Sequence, residues 1–187
     1  MRRAKWIAAA LGVSSLLMSL PSYAAATSNT LQFGLGFRYG KEVSDSDLNR
    51  WGTGIGLEVG YTLPVLPIFV GGQAEYFFGG TLDHPTTSVD KVDGNIWQLS
   101  LEGGYDFGIG DHLVLRPKLG FGLAHLSGET CIAGACISNT DTKPLLAPGA
   151  RFILMVSHFQ ANVDLRYAIV TSDPAVKAWI FGVGVGF

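Results

Sequence analysis

His125, Ser127, Glu129 and Asp141 are the residues of this chain whose types and spacing could support nucleophilic chemistry. A serine nucleophile needs a histidine to take its proton and an acid to orient that histidine, the minimum for acyl transfer. His125 and Ser127 stand two apart, so an extended backbone would put them on one face. The plainer reading is an interfacial histidine beside a loop serine. A second set is electrostatic. Arg38, Arg116, Lys118, Arg151 and Arg166 balance Glu58, Glu75, Glu102, Asp106 and Asp164, all on the minority face of alternating segments. Charges enclosed together are expected to pair, because isolated charges away from water are costly. Arg38 and Glu58, on neighbouring segments, are the first pair expected. Such a network either plugs an interior or lines a gated, solute-selective pore.

Cys131 and Cys136 are the only cysteines, with Gly134 between them. In an exported chain such a pair most simply forms a disulfide that pinches a loop. Two free thiols and half of a metal site are the other readings, and two ligands without a nearby His or Cys pair make a poor zinc site. His84, His112 and His158 show no metal-ligand spacing. Asp45, Asp47, Asp83 and Asp90 could hold divalent ions, although solvated loop carboxylates explain them as well. No metal and no cofactor is implied.

The elements that must position these groups are strands. After residue 30 the hydrophobic period is two, not 3.6. Leu31, Phe33, Leu35, Phe37 and Tyr39 share one face; Gln32, Gly34, Gly36 and Arg38 share the other. Trp51, Thr53, Ile55, Leu57, Val59 and Tyr61 likewise oppose Gly52, Gly54, Gly56, Glu58 and Gly60. Further segments are Ile68 to Phe78, Asn95 to Phe107, Leu113 to Leu123, Gly149 to Val156, Phe159 to Ile169 and Lys177 to Phe187, which makes eight. A soluble barrel would turn its apolar face inward and cover its outside with polar side chains. Here the second face is mostly glycine with scattered charge, a poor surface for water but a good lining for a narrow lumen. Apolar-out and small-or-polar-in is the pattern of a transmembrane barrel.

Connections support the same architecture. Gly40 to Arg50, Gly79 to Gly94 and Ser127 to Thr142 are long, Thr171 to Pro174 is modest, and Leu63 to Pro67, Gly108 to His112 and Ser157-His158 are short. Short periplasmic turns and longer outer loops follow if both termini are periplasmic. Aromatics sort to the segment ends. Tyr39, Trp51, Tyr76, Phe78, Trp97, Tyr167 and Trp179 form an outer girdle, and Phe33, Tyr61, Tyr105, Phe107, Phe159 and Phe187 an inner one. Pro117 lies inside the fifth segment, and Pro144 and Pro148 flank the sixth; a missing N–H at such places often marks a bulge.

The N-terminus carries Arg2, Arg3 and Lys5, then an uncharged apolar run from Ile7 to Leu20, then small residues. That is the order of a secretory signal peptide over residues 1–26, cleaved after Ala24 or Ala26. The run is shorter than the ~20 residues a spanning helix needs. Cleavage leaves 10 basic residues against 15 acidic ones, a net charge of −5 on one domain over 27–187. That balance points away from nucleic acid as a partner.

The exported eight-stranded pattern, the long outer loops and the terminal Phe181-Gly182-Val183-Gly184-Val185-Gly186-Phe187 resemble the small outer-membrane β-barrel superfamily of OmpA-type and OmpX-type barrels. The resemblance covers the whole mature chain and is one of pattern, shared by members with unrelated roles. It implies a closed all-β barrel, a seat among outer-membrane lipids and lipopolysaccharide, and Phe187 as a signal to the barrel-assembly machinery. It does not extend to the periplasmic peptidoglycan-binding domain of full-length OmpA-type proteins, so no cell-wall tether is expected. The His125-Leu126-Ser127 spacing is similar to the pair on lipid A deacylase barrels, without that family's flanking residues or strand position. The expected function is a non-enzymatic structural or surface-interaction barrel. A narrow small-solute pore is the alternative, and a lipid A-modifying hydrolase the next.

Overall fold

A computed structural model describes residues 31–187 apart from 44–48, 87–88, 134, 157–158 and 174, and it leaves aside the side chains of 81–91. The expected leader, Asp45, Asp47 and His158 lie outside the described residues, as do the side chains of Asp83, His84 and Asp90.

Every regular element among the described residues is a strand: β1 (Leu31–Glu42), β2 (Gly52–Thr62), β3 (Ile68–Thr86), β4 (Val89–Tyr105), β5 (Phe107–Ile109), β6 (Leu113–Ile132), β7 (Ala135–Val156), β8 (Phe159–Val170) and β9 (Val176–Gly186). Neighbours pair antiparallel in the order β4-β3-β2-β1-β9-β8-β7-β6-β5, and a β4–β6 ladder closes the ring. β4 and β5 are one strand. Gly104 faces Lys118 and Phe107 faces Leu115, so the register against β6 is unbroken across Asp106. The result is a closed eight-stranded antiparallel barrel, as the alternation requires. The first and last strands meet through mutual Phe33 and Phe187 backbone hydrogen bonds of 3.0 Å.

Alternation in β1 becomes strict alternation of exposure, with Arg38 buried and Phe37 73% exposed. Leu101 is 75% exposed, and comparable apolar side chains ring the barrel. In water such a belt would be far larger than the few hundred Å² a soluble monomer tolerates. The prolines do not create bulges. The β6–β7 register runs unshifted from Leu113↔Leu154 to Ile132↔Ala135. Pro117 instead sits opposite the break in the β4–β6 ladder, and Pro148 opposite the break between Leu146↔Ile169 and Gly149↔Arg166. Each removes one ladder bond without changing the residue count. The register shifts lie in β3, between Phe77 and Gly80 and between Asp83 and Thr86.

Two expectations need correction. Gly79 to Gly94 and Ser127 to Thr142 are largely ladder and not loop. β6 and β7 run 20 and 22 residues, against 11 in β2 and β9. β4 and β6 stay paired up to Lys91↔Cys131, so β3, β4, β6 and β7 form one wall rising past the rim opposite the termini. β6 and β7 exceed β2 by 9 and 11 residues, which at ~3.3 Å each carry the hairpin roughly 30–36 Å along the strand direction. Apolar-polar alternation fades there, which is why the sequence reads as loop. Second, Trp51 is not in the outer girdle. Gly52 has φ +57°, a left-handed conformation costly for other residues, and this turn reverses the face on which Trp51 falls. The indole is fully buried inside the barrel.

Candidate functional site

All ten charges expected in the lumen face inward, and the strands bring most of them into one cluster. Glu75 on β3 is its hub. It accepts from Arg38 Nε at 2.6 Å, Arg166 Nη2 at 2.6 Å and Gln73 Nε2 at 2.5 Å, and from Gln98 Nε2. Asp164 lies 2.6 Å from Lys118 Nζ, 2.7 Å from Arg166 Nε and 2.9 Å from Arg151 Nη2. Lys118 also donates to both Glu102 oxygens at 3.0 Å. Arg151 pairs with Glu58 across the lumen. The expected Arg38–Glu58 pairing is therefore wrong. The guanidinium of Arg38 reaches past the neighbouring strand to Glu75, because a long side chain in a narrow lumen is not limited to its ladder neighbour.

The glycine face makes this possible. A Cβ on Gly182 would sit 2.8 Å from Arg38 Cδ, and one on Gly149 would sit 2.5 Å from Arg166 Cγ. Each of these glycines leaves the space that an arginine stem occupies. Toward the termini, Arg116 pairs with Asp106 at 2.5 Å, donates to Gln32 Oε1 at 3.2 Å, and lies 3.7 Å over the Phe69 ring.

Sequence reasoning missed a second layer. Toward the projecting wall the interior is filled by Trp51, Phe77, Ile96, Leu145, Val170 and Ile180, with Ala124, Ala168, Val176 and Ala178. Trp51 meets Phe77 edge-on with ring centres 5.0 Å apart. The clue was available: Phe77, Ile96 and Ile180 share inward parity with Glu75, Gln98 and Gly182. An apolar plug therefore stacks on the charge cluster and fills the lumen that a pore would need.

The nucleophilic constellation is not assembled. His125 Nδ1 pairs with Thr142 Oγ1 at 2.8 Å, and its ring stacks on Trp97 at 5.3 Å. Asp141 falls opposite Leu126, on the other face, where it pairs with Lys143 at 2.9 Å. Glu129 accepts from Ser138 at 3.4 Å. Neither acid orients the imidazole. His112 lies exposed in the turn before β6. Phe187 faces outward and stacks on Phe33 at 5.8 Å.

Cys131 and Cys136 are directly opposed at the end of the β6–β7 hairpin and joined by a disulfide. Thiol-reactive labels should therefore fail on intact cells and succeed after a reductant. So short a closed loop contributes only about 2 kcal/mol, so the barrel should stay folded on reduction. Labelling of both thiols without reductant would show the bridge to be absent.

Residues 12–187 match the family described as the outer membrane protein beta-barrel domain. Among solved structures, Neisserial surface protein A is similar at 13% identity and TM-score 0.58, covering 84% of this chain and 96% of that one. Ail, the attachment invasion locus protein of Yersinia pestis, is similar at 20% identity and TM-score 0.54, covering 84% and 97%. The N-terminal barrel domain of Pseudomonas aeruginosa OprF follows at 18% identity and TM-score 0.50, covering 85% and 98%. No curated protein matches this chain in sequence. A closed barrel with an apolar belt, a filled interior and a family match across nearly the whole sequence has one explanation: the chain belongs to the outer membrane protein β-barrel family and resides in the outer membrane.

Proposed function

We propose that this protein is a non-enzymatic surface-interaction barrel whose projecting wall meets a partner outside the cell. Both termini then lie in the periplasm, residues 1–26 are the cleaved leader, and Phe187 is the signal read by the assembly machinery. The observation that carries the reading is the asymmetry of the barrel. Its lumen is closed by charge pairs and an apolar plug, while four strands continue well past the rim. A pore would need an open lumen, and a hydrolase an assembled nucleophile. Ail, one of the similar structures, is named for attachment and invasion, and has also been solved with the heparin analogue sucrose octasulfate.

The wall offers a defined contact. β7 meets β8 only from Leu145↔Val170 downward, so Ala135 to Lys143 has β6 on one side and no described strand on the other. Thr171 donates to the Pro144 carbonyl on that open side, so the groups of Thr142, Thr140 and Ser138 point the same way. This edge has an unshifted register and no proline between Ala135 and Lys143. The β3 edge is interrupted by two register shifts and Pro85. An unblunted edge accepts an added strand from an extended peptide.

Cells displaying the parent barrel should attach to a host-cell monolayer at least about tenfold better than cells whose barrel has both hairpins trimmed to tight turns, from Phe78 to Asn95 and from Leu126 to Lys143. Thr140→Pro should reproduce most of the loss while the barrel keeps its heat-modifiable migration. Equal attachment of parent and trimmed barrels would refute the reading. Loss on trimming without loss in Thr140→Pro would move the contact from the edge to the wall's faces.

A further inference from the structure

On the projecting wall the ladder stacks polar rows on the outward face, beside the open edge of β7. Above Trp97, His125 and Thr142 comes the row Asn95, Ser127 and Thr140, and above that Asp93, Glu129 and Ser138. The upper two rows line a cavity of 260 Å³ over β4, β6 and β7. Each of their six side chains carries an oxygen that can accept a hydrogen bond, and two are carboxylates. Among the described side chains, these rows hold no lysine or arginine.

Asp93 and Glu129 stand directly opposite one another on β4 and β6. Like charges in that relation repel across a ladder, so a cation entering between them gains from both. Glu129 is also only one strand in from the open edge. Exposed Ser138 and Thr140 stand between, and their short side chains leave the way over β7 clear. Ser138 Oγ already donates to Glu129 at 3.4 Å.

We propose that the β7 edge selects an extended peptide bearing a lysine or arginine, whose side chain crosses Ser138 into this cavity and pairs with Glu129. The inference rests on the reading that β7 takes an added strand. Main-chain hydrogen bonds hold any extended peptide, and the cavity beside them supplies the choice of side chain. In an antiparallel ladder the peptide residue directly opposite Ser138 projects on the same face as Ser138. Its Cα lies two strand spacings, about 9.5 Å, from that of Glu129. The barrel already joins an ion pair across two spacings, where Arg38 on β1 reaches Glu75 on β3 at 2.6 Å. An ammonium or guanidinium brings donors only, which suits a lining of acceptors. A peptide carboxylate at that position faces two like charges.

Barrels refolded in detergent and three short soluble peptides test the proposal. The peptides alternate threonine and valine and differ only at one central threonine position, which holds lysine, glutamine or glutamate. The lysine peptide should bind at least about fivefold tighter than the glutamine peptide, and the glutamate peptide more weakly than either. Glu129→Gln should bring the lysine peptide level with the glutamine peptide, and Glu129→Lys should reverse the order in favour of glutamate. Thr140→Pro should remove most of the binding of all three, because it takes a donor from the edge. Equal binding of the three peptides, lost in Thr140→Pro, would leave the edge standing and overturn the choice of a basic side chain. A lysine preference that survives Glu129→Gln would overturn it as well, by taking the cation out of this cavity. No binding by the parent, or binding indifferent to Thr140→Pro, would overturn the edge reading and this proposal with it.

Discussion

Glu75→Ala should destabilise the barrel by about 3–5 kcal/mol, the range found when one partner of a buried ion pair is removed. The carboxylate accepts from two guanidiniums and two amides, and its removal leaves Arg38 and Arg166 facing each other's charge in a space without bulk water. Equilibrium unfolding in urea from phospholipid vesicles, followed by tryptophan emission, measures the loss. A double-mutant cycle then tests the wiring. Arg38→Ala with Glu75→Ala should recover part of the combined cost, because neither charge is orphaned by the other's absence. Arg38→Ala with Glu58→Ala should add without recovery, since Glu58 is held by Arg151. Strong coupling between Arg38 and Glu58 would restore the ladder-neighbour pairing and contradict the network described above.

Trp51→Ala should also cost about 3–5 kcal/mol, as large-to-small changes of a buried aromatic do. The site cannot collapse to fill the space, because the indole is fixed by the turn at Gly52 and wedged edge-on against Phe77. The larger effect should be functional. In planar bilayers the parent should show no steady conductance. Arg38→Ala with Glu58→Ala should leave it closed, because the apolar layer still fills the lumen above the charges. Trp51→Ala with Phe77→Ala should open measurable current. Current from the parent, or from the charge variants alone, would make the charge cluster the gate and favour the solute pore.

How far the chain could be read without its structure depended on which groups obey a local rule. Period-two alternation fixes the face on which each side chain falls, so the barrel, the outward apolar belt and the inward position of all ten charges were legible from residues 31 onward. The cysteine pair was legible for the same reason of proximity, since five positions apart on a hairpin is close in any register.

Partnership was not legible. Arg38 to Glu75, Arg151 to Glu58 and Lys118 to Asp164 each join strands that are not sequence neighbours, or skip one that is. Which cation meets which anion depends on the shear of the closed ring and on the glycines that yield space to long side chains. The inward turn of Trp51 escaped because a single left-handed glycine inverts parity, and alternation cannot register that inversion. The projecting wall escaped because a strand outside the bilayer no longer needs one apolar face, so its sequence looks like loop although β4, β6 and β7 stay laddered to one another there. Sequence alone therefore determined the class and the outward face of most of the belt, where the solvent imposes a pattern. Tertiary closure decided what fills the lumen and what rises from the rim, where the only constraints are contacts between strands distant in the chain.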